Sequence, residues 1–503
     1  MILNACFCFT LLLLSLCCLF CYKKFSYWSD KNIKGPTPWP IVGNFANVMF
    51  QKKSVNQCIK DVYFKYKGEK LVGLYRGFQP MLLVNDPEYI KHILVKDFNC
   101  FQNRGMSTSK SRLSDNLFSA EGEKWKILRQ KLTPVFTSRK LRDMVPIIQE
   151  CVESFLLFVD TLANRNVDYE IRDMTSKYTM KVIGKCAFGL DVDTFTDEKN
   201  QFSEMANLIF KQTLSDRLLT VLDMIFPGLK KLFVTRLDIQ DYFVSLVRKV
   251  LLEREGKPLI RKDFIDFMLE LRDCGKINRK LDNEKVCEIE IDDYMLAAQA
   301  FVFYTAGYET SSATMSFMIH ELALHPEIQD RVYEEISQVL AKYNGEINYE
   351  SIKYMKYLEM VFDETLRKYT VAGILFRKAS SRYTFAGTNL TIEKGTLVLI
   401  SATALSTDST YFPEPDKFNP ENLSSENISK LPKYVYLPFG EGPRNCIGMR
   451  FAKILSLLAM AAFLKKFKVE PAKKTKRELT FNPKGMILIS NEGIWTKISR
   501  RQT

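Results

Sequence analysis

The ten residues 439–448, FGEGPRNCIG, leave the chain few ways to fold locally. Three glycines and a proline surround Cys446, and the next run, MRFAKILSLLAMAAFLKKF, contains strong helix formers and ends in lysines. This pattern predicts a tight loop that places Cys446 just before a helix N-terminus. The helix dipole and free backbone N–H groups lower the pKa of a thiol at such a position, and Arg444 adds positive charge nearby. A buried structural cysteine needs none of these features, so we expect an activated sulfur.

The size and composition of the chain exclude several classes of protein. Its 503 residues are 46% apolar and 12% aromatic, which is ample for a large core and excludes a disordered protein. The formal net charge is +14, but charges of both signs are spread along the chain, and no nucleic-acid-binding signature is present. The excess is typical of a solvated surface; the functional alternative is attraction to an anionic membrane or an acidic protein partner.

The cysteines and histidines argue against most metal sites. Five of the twelve cysteines fall in the first 21 residues, where free cysteine behaves as an apolar residue, and the rest include no Cys-x-x-Cys pair. The only three histidines are His92, His320 and His325. We therefore expect no zinc site, disulfide framework or multi-histidine site, and any metal would depend on a single thiolate.

The amino terminus, MILNACFCFTLLLLSLCCLFCY, is an uncharged, mainly apolar run that is long enough to cross a bilayer as a helix. A secretory signal is the alternative, but no basic segment precedes the run and no small-x-small cleavage site is visible. Lys23 and Lys24 follow directly, so the positive-inside rule places the remainder in the cytosol. The sequence predicts a transmembrane anchor at 1–22, a basic and proline-rich hinge at 23–40, and one large domain at 41–503.

Helical periodicity dominates the large domain. Sheet-like stretches at about 70–84 and 396–402 are the exceptions. The segment 292–324 is apolar nearly all round, as expected of a helix that runs through the interior. Two more helices are predicted, one beginning at Pro326 and one over about 354–369. The predicted fold class is mainly α with small β-sheets.

The central helix contains AGYET, residues 306–310. Glu309 is costly in an apolar helix unless it is solvated or paired, and Thr310 can bond back to the carbonyl of Ala306 and loosen the helix. Gly307 has no side chain, so a small ligand could approach the backbone there. From the residues alone, two interpretations stay open: a kinked core helix with one carboxylate at its surface, or a ligand site.

Residues 439–448 resemble the haem-binding signature of the cytochrome P450 family, Phe-x-x-Gly-x-Arg-x-Cys-x-Gly. Phe439, Gly442, Arg444, Cys446 and Gly448 stand at the spacing of that signature. The resemblance implies the cytochrome P450 fold and bound haem b, with the Cys446 thiolate as the axial ligand of the iron. It also implies that Arg444 pairs with a haem propionate and that Phe439 packs near the sulfur.

Other matches to the family extend over nearly the whole chain. Trp125 and Arg129 match Trp-x-x-x-Arg, whose side chains meet a propionate, although the bare pattern also fits a helix with one buried tryptophan. Glu364 and Arg367 match Glu-x-x-Arg, a pair that would by itself suggest a surface salt bridge. The resemblance adds two further candidate propionate ligands, Arg377 and Arg104.

By the same resemblance, AGYET is the oxygen-activation element. Thr310 would hydrogen-bond dioxygen or a water beside it, and Glu309 would help relay protons from solvent. Ala306 and Gly307 would leave room above the iron.

Two positions depart from the family pattern. Asn422 stands where the family commonly has an arginine that joins the Glu364–Arg367 pair, which predicts a weaker network. No proline follows Arg367 near position 370, in a segment expected to border the substrate. The resemblance places mostly apolar or aromatic residues around the substrate, which indicates a lipophilic one; they are Leu117, Phe118, Phe303–Ala306, Val371–Leu375, Met486 and Ile487.

Among P450s, the sequence is most similar to animal microsomal enzymes, in particular the insect detoxification group and the vertebrate drug-metabolising forms. The resemblance implies a monooxygenase that inserts one oxygen atom of O₂ into a xenobiotic or an endogenous lipid or hormone. It implies electrons from NADPH through NADPH–cytochrome P450 reductase, cytochrome b5 as a further candidate partner, and location in the endoplasmic reticulum membrane with the catalytic domain facing the cytosol.

Two other functional hypotheses stay open at this level. One is a P450-fold isomerase or dehydratase that needs no reductase, against which the pair Glu309 and Thr310 argues. The other is a non-catalytic, membrane-anchored protein that binds haem or lipid. The segment 223–233, DMIFPGLKKLF, is either an apolar surface that dips into the membrane or a plain connection between helices.

Overall fold

The long apolar segment of the sequence forms the central helix, Asp293–Leu324, most of whose residues are buried. The helix begins where the side chain of Asp292 accepts a hydrogen bond from the backbone N–H of Met295. It ends before Pro326, which begins the next helix as predicted, because proline lacks the N–H that a helix interior needs.

The computed structural model describes residues 2–106, 110–165, 167–197, 200–211, 213–234, 236–254, 264–273, 275–280 and 286–502. Helices α1 to α18 are, in order, Ile2–Phe25, Ala46–Met49, Val55–Lys65, Pro87–Lys91, Gly122–Leu132, Ser138–Arg165, Ile171–Phe188, Gln201–Phe210, Leu214–Ile225, Leu237–Arg254, Phe264–Asp273, Asp293–Leu324, Pro326–Ala341, Tyr349–Ile352, Lys356–Lys368, Ala402–Ser406, Ser425–Lys430 and Met449–Lys466. Strands β1 to β11 are Leu71–Arg76, Gln79–Val84, Asp168–Glu170, Lys276–Lys280, Val286–Glu290, Ile374–Lys378, Tyr383–Thr384, Thr391–Ile392, Leu397–Ser401, Phe467–Pro471 and Trp495–Arg500.

The strands form small sheets at the periphery of the helices. The largest has the order β1-β2-β9-β6, in which β1 and β2 form an antiparallel hairpin and β2 runs parallel to β9. A second sheet has the order β10-β11-β3, and the pairs β4-β5 and β7-β8 are separate. The sequence predicted β1, β2 and β9, and the family resemblance placed the start of a strand near Val371–Leu375, where β6 begins; the other described strands were not predicted.

Two apolar cores hold these elements together. The larger lies among α5 to α7, α10 to α13, α15 and α18, with α12 passing through it. The smaller lies around β1, β2 and β9 and includes the side chains of Trp28 and Phe101. The structure therefore has the mainly helical, single-domain architecture with small sheets that the sequence predicts.

The amino-terminal helix α1 covers the residues for which the sequence predicts a transmembrane anchor. In the part of the chain that the structure describes, no helix is both long enough and apolar enough to cross a membrane. The anchor at 1–22 therefore stays a prediction.

The first part of the basic and proline-rich hinge predicted at 23–40 is docked on the first sheet. Trp28 is 3% exposed, and its indole Nε1 donates to the carbonyl of Leu74 at 2.9 Å. The backbone N–H of Gly73 donates to the carbonyl of Lys34 at 2.9 Å. An added Cβ at Gly73 would lie 2.4 Å from Cγ of Trp28, so this glycine makes room for the indole. The hinge residues up to Lys34 are thus part of the folded body.

Candidate functional site

The Cys446 loop has the tight geometry that its glycines predict. The backbone N–H of Cys446 donates to the carbonyl of Phe439 at 2.8 Å, which closes the loop. Gly440 and Gly442 have φ of +68° and +76°, a region that side chains disfavour. Gly448 has an ordinary φ of −88° and forms the N-cap of α18. The sulfur therefore lies directly before a helix N-terminus, as predicted.

The electrostatics of the Cys446 thiol differ from the prediction. Burial raises its pKa, while hydrogen bonds from the backbone of Gly448 and Met449 and the charges of Arg129 and Arg104 act in the opposite direction. The predicted lowering of the pKa is therefore wrong in net direction, because desolvation outweighs the helix terminus. The Cys446 side chain is nevertheless accessible from outside the protein. The sulfur is thus largely surrounded by protein but still accessible.

Four arginines surround this loop, and the sequence named all of them as candidates. Burial lowers the pKa of Arg377 to about 10 and that of Arg444 to about 9. The pKa of Arg104 falls well below its ordinary range through burial and through repulsion by Arg444 and Arg377, and burial also lowers the pKa of Arg129. Within the described ranges, none of the four forms an ion pair with a carboxylate, and Nε of both Arg377 and Arg444 is buried without a hydrogen-bond partner. Largely buried positive charges without carboxylate partners are costly, so this cluster suits an anionic ligand.

Two of these arginines hold neighbouring loops as well. Arg444 donates from Nη1 to the carbonyl of Gln102 at 2.8 Å and from Nη2 to the carbonyl of Ala120, and its guanidinium lies 4.7 Å from the centre of the Trp125 ring. Trp125 therefore packs against Arg444, and its predicted contact with a propionate stays a prediction. Arg104 donates to the carbonyl of Phe118 at 3.0 Å and lies 4.0 Å from the centre of its ring.

Arg129 holds the Cys446 loop itself. Its Nη1 donates to the carbonyl of Asn445 at 2.9 Å, and its Nη2 donates to Oδ1 of the same residue at 2.7 Å. Arg377 lies in β6 and donates to the carbonyl of Phe376 at 2.8 Å. The family resemblance predicts that both arginines bind a haem propionate. The structure shows in addition that Arg129 positions Asn445, the residue next to Cys446.

The AGYET segment lies in the middle of α12. Thr310 Oγ1 donates to the carbonyl of Ala306 at 2.6 Å, which is the predicted back-bond. Ala306 is exposed although most of α12 is buried, so this face of the helix also borders an open space. An added Cβ at Gly307 would lie 2.5 Å from Cδ1 of Ile183 in α7. The missing side chain of Gly307 therefore lets α7 approach closely, and room above the iron at this residue stays a prediction.

Glu309 is neither solvated nor at the surface of the helix. It is fully buried, and its Oε1 forms an ion pair with Nη2 of Arg172 in α7. The side chain of Arg172 is 33% exposed. The sequence required a partner for a buried Glu309 but could not name Arg172, because the pairing depends on how α7 packs against α12.

Comparison with known proteins identifies the family to which this chain belongs. A sequence profile described as Cytochrome P450 matches residues 33–497. Cytochrome P450 6B6 of Helicoverpa armigera is 38% identical over 483 residues, 95% of each chain. Cytochrome P450 6B1 of Papilio polyxenes is 38% identical over 484 residues, 95% of this chain and 96% of its own, and cytochrome P450 6a2 of Drosophila melanogaster is 37% identical over 491 residues, with the same shares. The chain belongs to the cytochrome P450 family.

These P450 relatives come from insects, which confirms the predicted similarity to the insect detoxification group of microsomal-type P450s. Membership also makes the chain a P450 monooxygenase. The family binds haem through a cysteine thiolate, and the residues present fit that cofactor: one accessible thiol, a tight loop around it and four arginines without carboxylate partners. The two propionates of haem b would supply negative charge beside these arginines.

The Glu-x-x-Arg pair of this P450 is fully buried and completely bonded. Arg367 donates to both oxygens of Glu364 at 2.7 and 2.8 Å, and its other N–H groups donate to three backbone carbonyls. Asn422, which replaces the usual arginine, donates from Nδ2 to Oε1 of Glu364 at 3.1 Å. Its amide thus takes the position of a charged donor, and the remaining pair is electrically neutral. No donor of Arg367 is left open by this departure.

The residues predicted to line the substrate pocket fall into two groups. Phe118 is 42% exposed and Met486 is 63% exposed, so both offer apolar surface. Leu117 and Val371 are buried, and Phe303 packs edge-on against Phe264 with ring centres 4.3 Å apart. Leu117 and Val371 thus belong to the protein interior, whereas Phe303 is only partly buried. The sequence could not separate the groups because apolar residues are common to cores and pockets alike.

Proposed function

We propose that this P450 inserts one oxygen atom of O₂ into a lipophilic small molecule, either a xenobiotic or an endogenous lipid or hormone. The observation that carries the proposal is the accessible Cys446 thiol within a cluster of four arginines without carboxylate partners. Haem bound there supplies dioxygen binding and cleavage of the O–O bond. The protein residues supply the ligand, the anion-binding charges and the protons.

Thr310 and Glu309 have separate roles in this proposal. The Thr310 hydroxyl donates to the carbonyl of Ala306, so its oxygen lone pairs stay available to accept a hydrogen bond on the accessible face of α12. Glu309 is the neighbouring carboxylate and takes up protons for delivery to that face. Arg172 holds the Glu309 carboxylate in place. Arg172 is thus a positioning residue that the sequence did not indicate.

Apolar surface in two loops supports a lipophilic substrate. The ring of Phe118 is fixed against the guanidinium of Arg104, which also holds its carbonyl. The exposed side chain of Met486 adds a flexible apolar surface from the last part of the chain. We propose that these two residues contact the substrate.

We further propose that electrons come from NADPH through NADPH–cytochrome P450 reductase, with cytochrome b5 as a second partner, at the endoplasmic reticulum membrane. The net charge of +14 suits partners with an acidic face. Exposed apolar side chains in and after α9 suit contact with a membrane; they are Leu214, Leu218, Phe226 and Leu232. Lys230 and Lys231 lie among them and suit the anionic surface.

The proposal is tested first by the spectrum of the reduced, carbon monoxide-bound holoprotein. We expect the thiolate-type Soret band in the wild type and its loss in Cys446→Ala. Cys58→Ala is the matched control, because burial raises the pKa of the Cys58 thiol to about 11 and keeps it inert, so the band should remain. A wild-type spectrum without the thiolate band would overturn the assignment of Cys446.

The second test is turnover. Reductase, NADPH and a panel of lipophilic probes that includes 7-ethoxycoumarin should give oxygenated product in the wild type. Thr310→Ala should keep the spectrum but release most of the reducing equivalents as hydrogen peroxide, whereas Thr314→Ala, one turn further on, should stay coupled. Product formation without NADPH would support an isomerase, and haem binding without any turnover would support a non-catalytic protein.

A further inference from the structure

A π-helical turn lies directly behind the Cys446 loop. Residues His92–Lys96 form this turn at the end of α4, and the backbone N–H of Asp97 closes it by donating to the carbonyl of His92 at 2.7 Å. An added Cβ at Gly442 would lie 1.9 Å from the carbonyl oxygen of Leu94, in the middle of the turn. Single π-helical turns are rare and are frequently found at functional sites. The backbone of the turn therefore limits where the Cys446 loop can lie.

A contact between two side chains spans the same five residues as that backbone bond. Nδ1 of His92 lies 2.7 Å from Oδ2 of Asp97. On an α-helix, side chains three or four residues apart are neighbours, whereas those five residues apart point in directions about 140° apart. The contact between His92 and Asp97 therefore favours the π-helical turn, and it would be lost if the turn took α-helical geometry.

A third side chain fixes Asp97 from another element. The hydroxyl of Tyr383 in β7 donates to Oδ2 of Asp97 at 2.6 Å, and the ring of Tyr383 packs edge-on against Phe101, with centres 4.7 Å apart. Burial acts to raise the pKa of Asp97, but the hydrogen bonds from Tyr383 and His92 lower it overall. The group is therefore a carboxylate near pH 7 and accepts both hydrogen bonds.

The segment after the turn contacts the same loop a second time. The carbonyl of Gln102, five residues after Asp97, accepts a hydrogen bond of 2.8 Å from Nη1 of Arg444. Arg444 precedes Cys446 by two residues. A shift of the turn would therefore reach the loop at two places, at Gly442 and at Arg444.

We propose that Asp97, together with His92 and Tyr383, is a positioning residue for the Cys446 thiolate. The proposal rests on the proposed function, which takes Cys446 as the ligand of the haem iron. The bridge keeps the turn in π-helical geometry, and the turn holds its backbone against Gly442. The loop then places the sulfur directly before α18. Groups that orient a metal ligand from outside commonly affect how firmly the ligand holds the metal.

The test measures how firmly the full-length holoprotein holds its haem. Asp97→Ala removes the acceptor of both hydrogen bonds, and we expect haem transfer to apomyoglobin to become about tenfold faster, as for the loss of other groups that orient a metal ligand. The reduced, carbon monoxide-bound variant should also show a smaller fraction of the thiolate-type Soret band. Asp97→Asn keeps an acceptor oxygen and should restore most of the wild-type behaviour in both measurements.

Two tyrosines allow a matched comparison with the same change of side chain. Tyr383→Phe removes one of the hydrogen bonds to Asp97. Tyr89 lies in α4, and its hydroxyl donates at 3.2 Å to the carbonyl of Ala386, which follows β7, so Tyr89→Phe loosens the same two parts of the chain through a different pair of groups. We expect faster haem transfer in Tyr383→Phe and the wild-type rate in Tyr89→Phe. Equal rates in the two variants would overturn the proposal.

A double variant tests the route through the turn. The Cβ added by Gly442→Ala presses against the Leu94 carbonyl as long as the turn keeps its geometry. Gly442→Ala should therefore accelerate haem transfer by a smaller factor in the Asp97→Ala background than in the wild type. Strictly multiplicative factors would overturn the proposal, as would a wild-type rate for Asp97→Ala.

The outcome stays informative if the first variant is unstable. If Asp97→Ala does not fold with haem, Tyr383→Phe takes its place in the double variant, with the same expectations. A wild type without the thiolate-type Soret band would instead overturn the proposed function.

Discussion

At the residue scale, Gly442 shows how strictly the Cys446 loop is specified. Its φ is +76°, and an added Cβ would lie 1.9 Å from the carbonyl oxygen of Leu94, in the π-helical turn His92–Lys96. A backbone oxygen cannot rotate away as a side chain can. Glycine is therefore required here for two independent reasons, the backbone angle and the close approach.

Gly442→Ala should lower the free energy of unfolding and weaken haem binding. The left-handed backbone costs alanine about 1 kcal/mol, and the steric clash adds about 1–3 kcal/mol. Gly345→Ala is the control, since Gly345 has a φ of +79° with no atom within 4 Å of an added Cβ. This variant should show only the cost of the left-handed backbone. Denaturant midpoints and the carbon monoxide spectrum measure the two effects. Equal losses in both variants would contradict the role of the Leu94 contact.

At the element scale, the packing of α7 against α12 fixes Glu309, the backbone around Gly307 and a set of buried hydroxyl groups that contact one another, those of Thr175, Ser176, Ser312 and Ser316. The close approach of the two helices depends on Gly307, because Cδ1 of Ile183 occupies the space that a Cβ at this position would need. Small residues on α12 thus bring the two backbones together, and the polar groups between them must then satisfy one another.

Gly307→Ala should destabilise the protein although alanine is the better helix former. The gain in helix propensity is about 1 kcal/mol, whereas forcing Cβ against Ile183 costs about 1–3 kcal/mol. Ile183→Val removes the opposing Cδ1 and should cost about 0.5–1.5 kcal/mol alone. The double variant should be more stable than the sum of the single changes predicts, as measured by denaturant unfolding. Strictly additive effects would show that the two residues are not in contact.

The elements that carry local signals were predictable, and those that depend on distant packing were not. The Cys446 loop and the helix from Pro326 follow from residues adjacent in sequence, so their geometry agreed with the prediction. Strand β3 is three residues long and pairs with β11, which lies about 325 residues later near the carboxyl terminus. No local periodicity therefore revealed it. The pairing of Arg172 with Glu309 was hidden for the same reason, because it needs the relative position of two helices.

At the scale of the whole molecule, the amino-terminal segment joins the predicted anchor rigidly to the first sheet. The ring of Phe25 contacts those of Tyr75 and Phe78, with centres 5.1 and 5.5 Å away. The Tyr75 hydroxyl donates to the carbonyl of Phe25 at 2.8 Å, and the indole of Trp28 fills the space above Gly73. The orientation of the catalytic domain relative to α1 is therefore set by packed aromatic rings, and not by the prolines of the hinge alone.

Trp28→Ala should destabilise the catalytic domain by about 3–5 kcal/mol, because it empties a buried site and removes an indole hydrogen bond. Trp39→Ala is the matched control in the same segment, since Trp39 is 68% exposed, and its unfolding midpoint should stay near that of the wild type. Deletion of residues 2–22 spares both tryptophans, so the unfolding midpoint should again be kept while membrane association is lost. Thermal unfolding and sedimentation with microsomal vesicles measure these outcomes. A deletion variant that unfolds as readily as Trp28→Ala would show that α1 holds this edge of the sheet as much as Trp28 does, which contradicts the expectation.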